Sequence, residues 1–292
     1  MPKLIDFTDV PDGRHSFLYW LVIPFLLTWF ATGYLFGHLT DKPEWLKTDS
    51  PSGFDKSVTP QFTPFAALPK TKSGYVSLWF DDAWLSQYLV AFPLLQKYNF
   101  PGVIAVPSSA IEQSGYVNWA QLQTMQKSGW EITNHSVSHN CSMNTWTAEQ
   151  VNREYQASKL ALWKHQLASD ILVTPCGVDS QIMRTEAAKV FIAYRTVNPG
   201  QNDLTNLDPF NLRVRNIDNK TTLDEIKGWI DQANQPHQWV ILVFHLLGTA
   251  NEPVSSDTYN LDPSALPAIL DYIKSSGLPV VTPGQIIAAY AV

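Results

Sequence analysis

The stretch GYVSLWFDD, residues 74–82, decides how this chain is organised. Its β-branched and aromatic residues, uninterrupted by proline, predict a buried strand. The strand runs directly into two adjacent carboxylates, Asp81 and Asp82. Enzymes built on parallel sheets place their chemistry at the carboxyl ends of the strands, where the following loops converge. The pair is therefore a candidate for catalysis, and the alternative is a solvated strand end.

Strand and helix signals alternate from Gly74 to the end of the chain. Further strands are predicted at 103–106, 130–133, 170–174, 192–197, 213–217, 239–245 and 279–282. Helices are predicted between them, at 84–95, 118–129, 147–165, 179–189, 222–234, 263–276 and 283–290. Capping boxes are predicted at two of their starts, formed by Thr147 with Gln150 and by Thr222 with Glu225. Seven or eight such repeats predict an α/β fold with a closed or nearly closed barrel, and a doubly wound open sheet is the alternative.

The segment before this domain has a different composition. Residues 16–39 contain no Asp, Glu, Lys or Arg, and 24 residues in a helix can cross a hydrocarbon core of about 30 Å. We expect an uncleaved single-span anchor rather than a signal peptide, because the run exceeds an h-region of roughly 7–15 residues and no Ala-x-Ala-like site follows. The predicted organisation is a tail (1–15), a transmembrane anchor (16–39), a linker rich in Pro, Ser and Thr (40–73) and a catalytic domain (74–292).

Charge and cysteine content limit the partners and the redox state that the sequence allows. The net charge is −6 and there is no long basic run, which argues against nucleic acid as a partner. The basic residues flanking the apolar run are balanced, so charge alone leaves the membrane orientation open. The two cysteines, Cys141 and Cys176, can form one bridge or remain thiols.

A second chemical motif, HSVSH, ends the third predicted strand. His135 and His139 can reach one metal ion if the segment turns or is helical. Together with one aspartate they would leave an open position for water, which is typical of catalytic sites. The other aspartate could then take a proton from that water. His245 follows the strand at 239–245 and is a candidate general acid, although a lone histidine there can also be structural.

These motifs resemble, in order and rough spacing, those of the polysaccharide deacetylases, carbohydrate esterase family 4. The matching segments are Phe80-Asp81-Asp82, His135–His139, Thr174–Gly177 and Val243-Phe244-His245. The resemblance covers about residues 74–290 and implies a distorted, often incomplete (β/α) barrel.

The resemblance also implies roles for individual residues. Asp81 would be the catalytic base and His245 the general acid, while Asp82, His135 and His139 would hold one divalent ion, usually zinc. The backbone N–H at Cys176, between Pro175 and Gly177, would stabilise an oxyanion. The arginine that tunes the base would be Arg213 or Arg215.

The chain departs from the family pattern at a few positions. Ala83 replaces the usual glycine, Val173 replaces an arginine, and Cys176 replaces a tyrosine. Every proton-transfer and metal position is kept, which favours an active enzyme.

The sequence therefore predicts a membrane-anchored, metal-dependent hydrolase that removes N-acetyl groups from a polysaccharide, with its domain outside the cytoplasm. A lipid-linked sugar or an O-acetyl ester is an alternative substrate. A degenerate carbohydrate-binding subunit is the non-enzymatic alternative. The sequence identifies no protein partner.

Overall fold

The computed structural model describes residues 66–167, 170–248 and 259–291. The predicted tail, the predicted anchor at 16–39 and most of the linker lie outside these residues. Within the described ranges, no helix is both long and apolar enough to cross a membrane.

The described residues form ten strands and seven α-helices. The strands are β1 (Tyr75–Phe80), β2 (Val103–Val106), β3 (Glu131–Asn134), β4 (Ile171–Val173), β5 (Ala193–Pro199), β6 (Asn202–Asp203), β7 (Leu212–Asn216), β8 (Gln238–Phe244), β9 (Leu246–Leu247) and β10 (Asn260–Leu261). The helices are α1 (Phe92–Tyr98), α2 (Trp119–Lys127), α3 (Ala148–Lys164), α4 (Gln181–Val190), α5 (Leu223–Ala233), α6 (Leu266–Ser276) and α7 (Pro283–Tyr290). A π-helical segment, Gln87–Ala91, precedes α1, and short 3-10 turns occur at Met143–Thr145, Pro175–Gly177 and Pro263–Ala265.

Seven parallel strands close into a barrel in the order β1-β2-β3-β4-β5-β7-β8, and β8 returns to β1. The closing pair is in register over all of β1, with Tyr75–Phe80 opposite Trp239–Phe244. The short β6 pairs antiparallel with the start of β8. This closure confirms the predicted barrel and excludes the open sheet.

The barrel is distorted on the side of β3, β4 and β5. A single register pair, Asn134 with Leu172, joins β3 to β4. The register between β5 and β7 shifts between Arg195 and Pro199. The expectation of a distorted barrel is thus confirmed, although the strands do meet around the full circle.

Burial on both faces explains the apolar character of β1. Alternate residues of a strand point to opposite faces. Val76, Leu78 and Phe80 pack with the surrounding helices, whereas Tyr75 and Trp79 belong to a separate cluster made of the inward residues of the strands. Each inward and outward side chain of β1 is therefore removed from water, which stabilises the strand.

The last helix covers the amino ends of the strands. Ile286 and Ile287 of α7 join the cluster inside the barrel, together with Trp239. Glu131, at the start of β3, accepts a hydrogen bond from the Gly284 N–H at 2.8 Å. The barrel is thereby closed at this end, and its carboxyl end is left for the functional loops.

Several helix starts follow the predicted capping boxes. The Thr147 hydroxyl accepts from the Gln150 N–H, and the Gln150 side chain accepts from the Thr147 N–H. Thr222 and Glu225 form the same arrangement at α5.

The strand predicted at 279–282 is wrong, because this segment makes only an isolated bridge between Val280 and Val76 before α7 begins at Pro283.

Candidate active site

The two aspartates follow β1 on a sharply turned backbone. Asp82 and Ala83 both have positive φ, 75° and 61°. This conformation favours glycine, which the family usually has at the position of Ala83. The turn directs the Asp82 carboxylate toward the loop after β3, where its Oδ1 lies 3.3 Å from His135 Nε2 and 3.2 Å from His139 Nε2.

The HSVSH segment is a tight loop rather than a helix. Ser136 and His139 have left-handed backbone conformations, with φ of 64° and 50°. The buried Glu154 of α3 holds the loop: its Oε1 accepts from the N–H groups of Val137 and Ser138 at 3.0 and 2.6 Å. The same oxygen accepts from the Ser138 hydroxyl at 2.7 Å. The loop therefore brings both imidazoles to one point through backbone geometry, and helical spacing plays no part.

Hydrogen bonds to neighbouring groups fix the orientation of two ligand candidates, His135 and Asp82. His135 Nδ1 lies 3.0 Å from the Val173 carbonyl, so this nitrogen carries a proton, and Nε2 is the nitrogen that faces Asp82. Trp84 Nε1–H donates to Asp82 Oδ2 at 3.1 Å, which leaves Oδ1 directed at the histidines. Nothing in the sequence pattern assigned Trp84 or Glu154 to the site.

The separations fit a divalent metal ion. Ligand atoms of Asp82, His135 and His139 lie within 4.8 Å of one another. Two zinc bonds of about 2.0–2.1 Å at the tetrahedral angle place their ligand atoms ~3.3 Å apart, close to the carboxylate–imidazole distances of 3.2 and 3.3 Å. Three nitrogen and oxygen donors are also a set that zinc accepts in catalytic sites. These residues are therefore suited to hold the ion that the sequence predicts.

The Asp82–histidine contacts set the charges of the group. Burial acts to raise the pKa of Asp82, but hydrogen bonds with His135 and His139 outweigh it and hold this pKa well below its usual value. Burial acts to lower the pKa of His139, and the hydrogen bond with Asp82 outweighs it and raises this pKa. The carboxylate is thus ionised and ready to bind a cation.

The neighbouring Asp81 is buried and held differently. Its Oδ2 forms an ion pair with Arg195 and lies 3.7 Å from His245 Nε2. Its Oδ1 is buried, and no described group forms a hydrogen bond with it. One oxygen is therefore fixed by the arginine while the other is left for a molecule that enters the site.

His245 follows β8, the strand that closes the barrel against β1. Burial lowers the pKa of His245, and the nearby carboxylates of Asp81 and Asp82 oppose this shift. The Gln87 side chain donates to the His245 carbonyl at 2.9 Å and also to the Asp81 carbonyl, which ties the two strand ends together. The structure thus brings His245 to Asp81.

The arginine prediction is wrong: neither Arg213 nor Arg215 contacts Asp81. Arg213 donates to the Pro199 carbonyl at 3.3 Å, and Arg215 lies 3.5 Å from the side chain of Gln232. Arg195 of β5 contacts Asp81 instead, fully buried, with its guanidinium 5.1 Å from the centre of the Trp79 ring. The signal that could have found it is a charged residue inside an apolar strand, because buried arginine requires a partner.

The segment Pro175–Gly177 forms a 3-10 turn after β4, with Cys176 in a left-handed conformation at φ 51°. Cys176 forms a disulfide with Cys141, so the bridge that the sequence left open is present. The bridge joins this turn to the loop that carries His139, and Cys176 Sγ lies 3.6 Å from His139 Nδ1. The proposed oxyanion turn is therefore held beside the predicted metal ligands.

Comparisons with known proteins agree with this arrangement. The sequence profile of the family described as Polysaccharide deacetylase matches residues 69–193. A polysaccharide deacetylase named YxkH, from Bacillus subtilis (strain 168), is 29% identical over 84 residues, which are 29% of this chain and 30% of that protein. The match thus spans less than a third of the length of this relative.

Two solved structures show the same fold at low sequence identity. One is the Xyl-CE4 domain of a multidomain xylanase from the hindgut metagenome of Trinervitermes trinervoides, with 15% identity, a TM-score of 0.54, and coverage of 75% of this chain and 92% of that one. The other is a family 4 carbohydrate esterase from Streptomyces lividans in complex with acetate, with 17% identity, a TM-score of 0.50, and coverage of 72% and 93%. Residues 69–193, which carry the first three motifs, match the polysaccharide deacetylase family, and the barrel has the fold of the two family 4 esterase structures.

Proposed function

We propose that this protein is a metal-dependent hydrolase that removes N-acetyl groups from an amino-sugar polysaccharide outside the cytoplasm. One observation carries the proposal: the possible ligand atoms of Asp82, His135 and His139 converge beside the buried, unpartnered oxygen of Asp81. The match of residues 69–193 to the polysaccharide deacetylase family supports an acetylated polysaccharide as the substrate.

Asp82, His135 and His139 would hold one divalent ion, which we propose is zinc. They would leave one coordination position open for water or substrate. When bound, such an ion lowers the pKa of a water molecule to about 7 and polarises the acetyl carbonyl. The Val173 carbonyl keeps His135 in the tautomer that this role needs.

Asp81 acts as the general base. Arg195 occupies its Oδ2, so Oδ1 is the atom that accepts the proton of the attacking water. The guanidinium also keeps the carboxylate from rotating, since both groups are buried. The orientation of the base is therefore set before substrate arrives.

His245 delivers a proton to the departing amine. Its Nε2 lies on the same side as Asp81 Oδ2, 3.7 Å away. In its protonated form it donates to the sugar nitrogen as the C–N bond breaks, and the products are acetate and a free amino sugar. The N–H of Cys176, flanked by Pro175 and Gly177, would stabilise the oxyanion.

An extracytoplasmic location is supported by two features. The disulfide between Cys141 and Cys176 is of a kind that persists in oxidising compartments. The uncharged residues 16–39 have the length of a single membrane span. We propose a single-pass membrane protein whose domain faces the outside of the cytoplasm.

The proposal is tested with a matched pair of histidine variants of the full chain. His139 and His237 both have left-handed backbones, with φ of 50° and 62°, and asparagine tolerates this conformation. His237 lies before β8, at the opposite end of the barrel. We expect His139→Asn to lose bound zinc and deacetylation of an acetylated glycan, and His237→Asn to keep both.

The assay measures zinc by elemental analysis and counts free amines and acetate released from the glycan. Equal amounts of amine and acetate support N-deacetylation, whereas acetate without amine would indicate an ester substrate. Full activity of His139→Asn, or a wild-type protein that takes up zinc but releases no acetate from any acetylated glycan, would contradict the proposal.

A further inference from the structure

The two nitrogens of the His139 ring face different sets of possible metal ligands. Nε2 lies 3.2 Å from Asp82 Oδ1, whereas Nδ1 lies 3.6 Å from the Sγ atom of Cys176. By contrast, Nδ1 of His135 faces an oxygen, the Val173 carbonyl, at 3.0 Å. The His139 imidazole is therefore placed between the predicted catalytic ligands on one side and sulfur on the other.

The sulfur side of this imidazole has the geometry of a metal site of its own. A ring nitrogen of His139 and the Sγ atoms of Cys141 and Cys176 lie within 4.8 Å of one another. A zinc–sulfur bond of about 2.3 Å and a zinc–nitrogen bond of about 2.0–2.1 Å, at the tetrahedral angle, place the two ligand atoms ~3.6 Å apart. The distance between Cys176 Sγ and His139 Nδ1 is 3.6 Å. Thiolates and imidazole are also a ligand set that zinc accepts.

The redox state of the cysteines decides whether these sulfurs can bind an ion. They are joined in a disulfide, and the form of cysteine that binds a metal is the thiolate. Cys141 and Cys176 are both exposed, so a reductant can reach the bond. A dithiol reduces it by exchange: the dithiol becomes a disulfide and gives its two hydrogens to the two cysteines. Each thiol then releases its proton to water as the ion binds.

Backbone structure on both sides keeps the two cysteines together after reduction. Cys141 lies in a turn in which the Ser142 N–H donates to the Asn140 side chain at 2.7 Å. Cys176 lies in the 3-10 turn Pro175–Gly177. The Cα atoms of the two cysteines are 5.3 Å apart. Rotation of their side chains is therefore enough to bring the free sulfurs to the separation of ~3.8 Å that two tetrahedral zinc–sulfur bonds require.

The sulfur ligands bind zinc more strongly than the carboxylate when both are available. Two thiolates supply two negative charges, enough to neutralise a divalent ion, whereas Asp82 supplies one. Thiolate sulfur is also a soft donor that selects zinc and Cu(I), while carboxylate oxygen suits magnesium, calcium and manganese. We therefore expect the reduced protein to hold zinc at the sulfurs in preference to the carboxylate.

We propose that reduction of the disulfide creates a second metal site, formed by Cys141, Cys176 and His139, for zinc and other thiophilic ions. This site competes with Asp82 and His135 for the His139 imidazole, because a neutral imidazole binds an ion through one nitrogen and carries its proton on the other. Oxidation of the cysteines removes the competing site and leaves the imidazole to the catalytic ligands. The inference rests on the proposed function, and it adds that metal loading of the active site depends on the redox state of the cysteines.

The test uses cobalt(II), which takes the place of zinc and reports thiolate ligands through a charge-transfer band in the near ultraviolet. The chain contains two cysteines, so any such band comes from Cys141 and Cys176. The full chain is titrated with cobalt chloride in its oxidised form, and again after reduction with a phosphine that is then removed under nitrogen. We expect each form to bind a single cobalt ion, with the band in the reduced protein and without it in the oxidised protein.

Activity is measured on the same two forms after loading with zinc. We expect reduction to lower acetate release from an acetylated glycan about 10–100-fold, as is usual when the ligands of a metal are disturbed. Reoxidation by a small disulfide, which takes up the two electrons, should restore the activity.

Two variants distinguish a metal site from a purely structural bridge, and circular dichroism checks that both fold. Cys141→Ser removes the disulfide and one of the three ligands of the second site. It should keep most of its acetate release with and without reductant, whereas a bridge that only holds the loop would be lost here as completely as in the reduced protein. Asp82→Asn should lose cobalt in the oxidised form and bind it with the thiolate band in the reduced form, because the second site does not use this carboxylate.

The outcomes separate the second site from the reaction. A thiolate band in the reduced protein, when the oxidised protein releases no acetate from any acetylated glycan, would support the second site and overturn the proposed function. Acetate release by the oxidised protein, with no band after reduction, would overturn the second site and leave the function standing. Two cobalt ions per reduced chain, or equal loss of activity in Cys141→Ser and in the reduced wild type, would overturn the competition for His139.

Discussion

At the two ends of the barrel, the pKa of a buried carboxyl group is shifted in opposite directions. At the carboxyl end of the strands, burial acts to raise the pKa of Asp82, but His135 and His139 hold it well below its usual value. At the amino end, burial raises the pKa of Glu131 to about 7, and the hydrogen bond from the Gly284 N–H opposes the shift without cancelling it. The comparison teaches that the partners of a buried acid decide its charge: His135 and His139 keep Asp82 ionised, whereas burial favours the protonated form of Glu131.

The largest effect is expected at the carboxyl end, from exchanging each aspartate for asparagine. Asp81→Asn should lower kcat/KM about 10²–10⁴-fold, because it removes the general base, while zinc is retained. Asp82→Asn should lower activity at least as much and should also release the zinc. Elemental analysis together with acetate release distinguishes the two positions. Retention of zinc by Asp82→Asn would contradict its role as a ligand.

At the amino end, we expect Glu131→Gln to change stability and leave kcat/KM unaltered. The pKa of Glu131 in the folded protein, about 7, lies above the ordinary value of 4.5 for this group. The stabilisation from the protonated form is full below pH 4.5 and is lost as pH rises to 7, a change of about 3 kcal/mol. Glutamine cannot ionise and should remove this dependence.

Urea unfolding of both proteins at pH 4.5 and pH 7.5 checks the Glu131 prediction. The stability of the wild type relative to Glu131→Gln should fall by about 3 kcal/mol between these pH values. A difference that does not change with pH would show that the folded pKa of Glu131 is not raised. Loss of activity at constant stability would instead connect this end of the barrel to the chemistry.

A smaller effect is expected from Glu154→Gln, beneath the histidine loop. The change removes the charge that accepts the hydrogen bonds of Val137 and Ser138. Zinc affinity should fall about 10–100-fold, as is usual when a group that orients metal ligands is altered. Glu149→Gln, an exposed position on the same helix, is the control and should leave the affinity unchanged. Equal affinities in the two variants would show that the loop keeps its shape without Glu154.

Local pattern was sufficient to predict most of the fold, because hydrophobic runs and capping residues act over a few positions. Thr147 with Gln150 and Thr222 with Glu225 start helices where the sequence indicates. The segment 279–282 reads as a strand because it is apolar. Whether a neighbour extends the pairing beyond one bridge is a tertiary property that the sequence does not contain.

The same distinction between local pattern and tertiary contact applies to the residues of the candidate site. Asp81, Asp82, His135, His139 and His245 could be found because each follows a recognisable strand. Arg195 was missed because it lies within β5, where its side chain meets Asp81 only after the barrel closes. Trp84 and Glu154 were missed for a related reason: an indole or a helical carboxylate reveals its partner only in three dimensions.

The pairing of β1 with β8, which closes the barrel, has a consequence for folding kinetics. β1 is the first strand of the barrel and β8 the last, and Asp81 donates its N–H to Phe244, next to His245, at 2.9 Å. The proton-transfer pair therefore exists only after the most distant contacts along the chain have formed, and such non-local contacts form slowly. We expect a nascent chain to be inactive until β8 has emerged and paired, so that the onset of activity during refolding marks completion of the barrel.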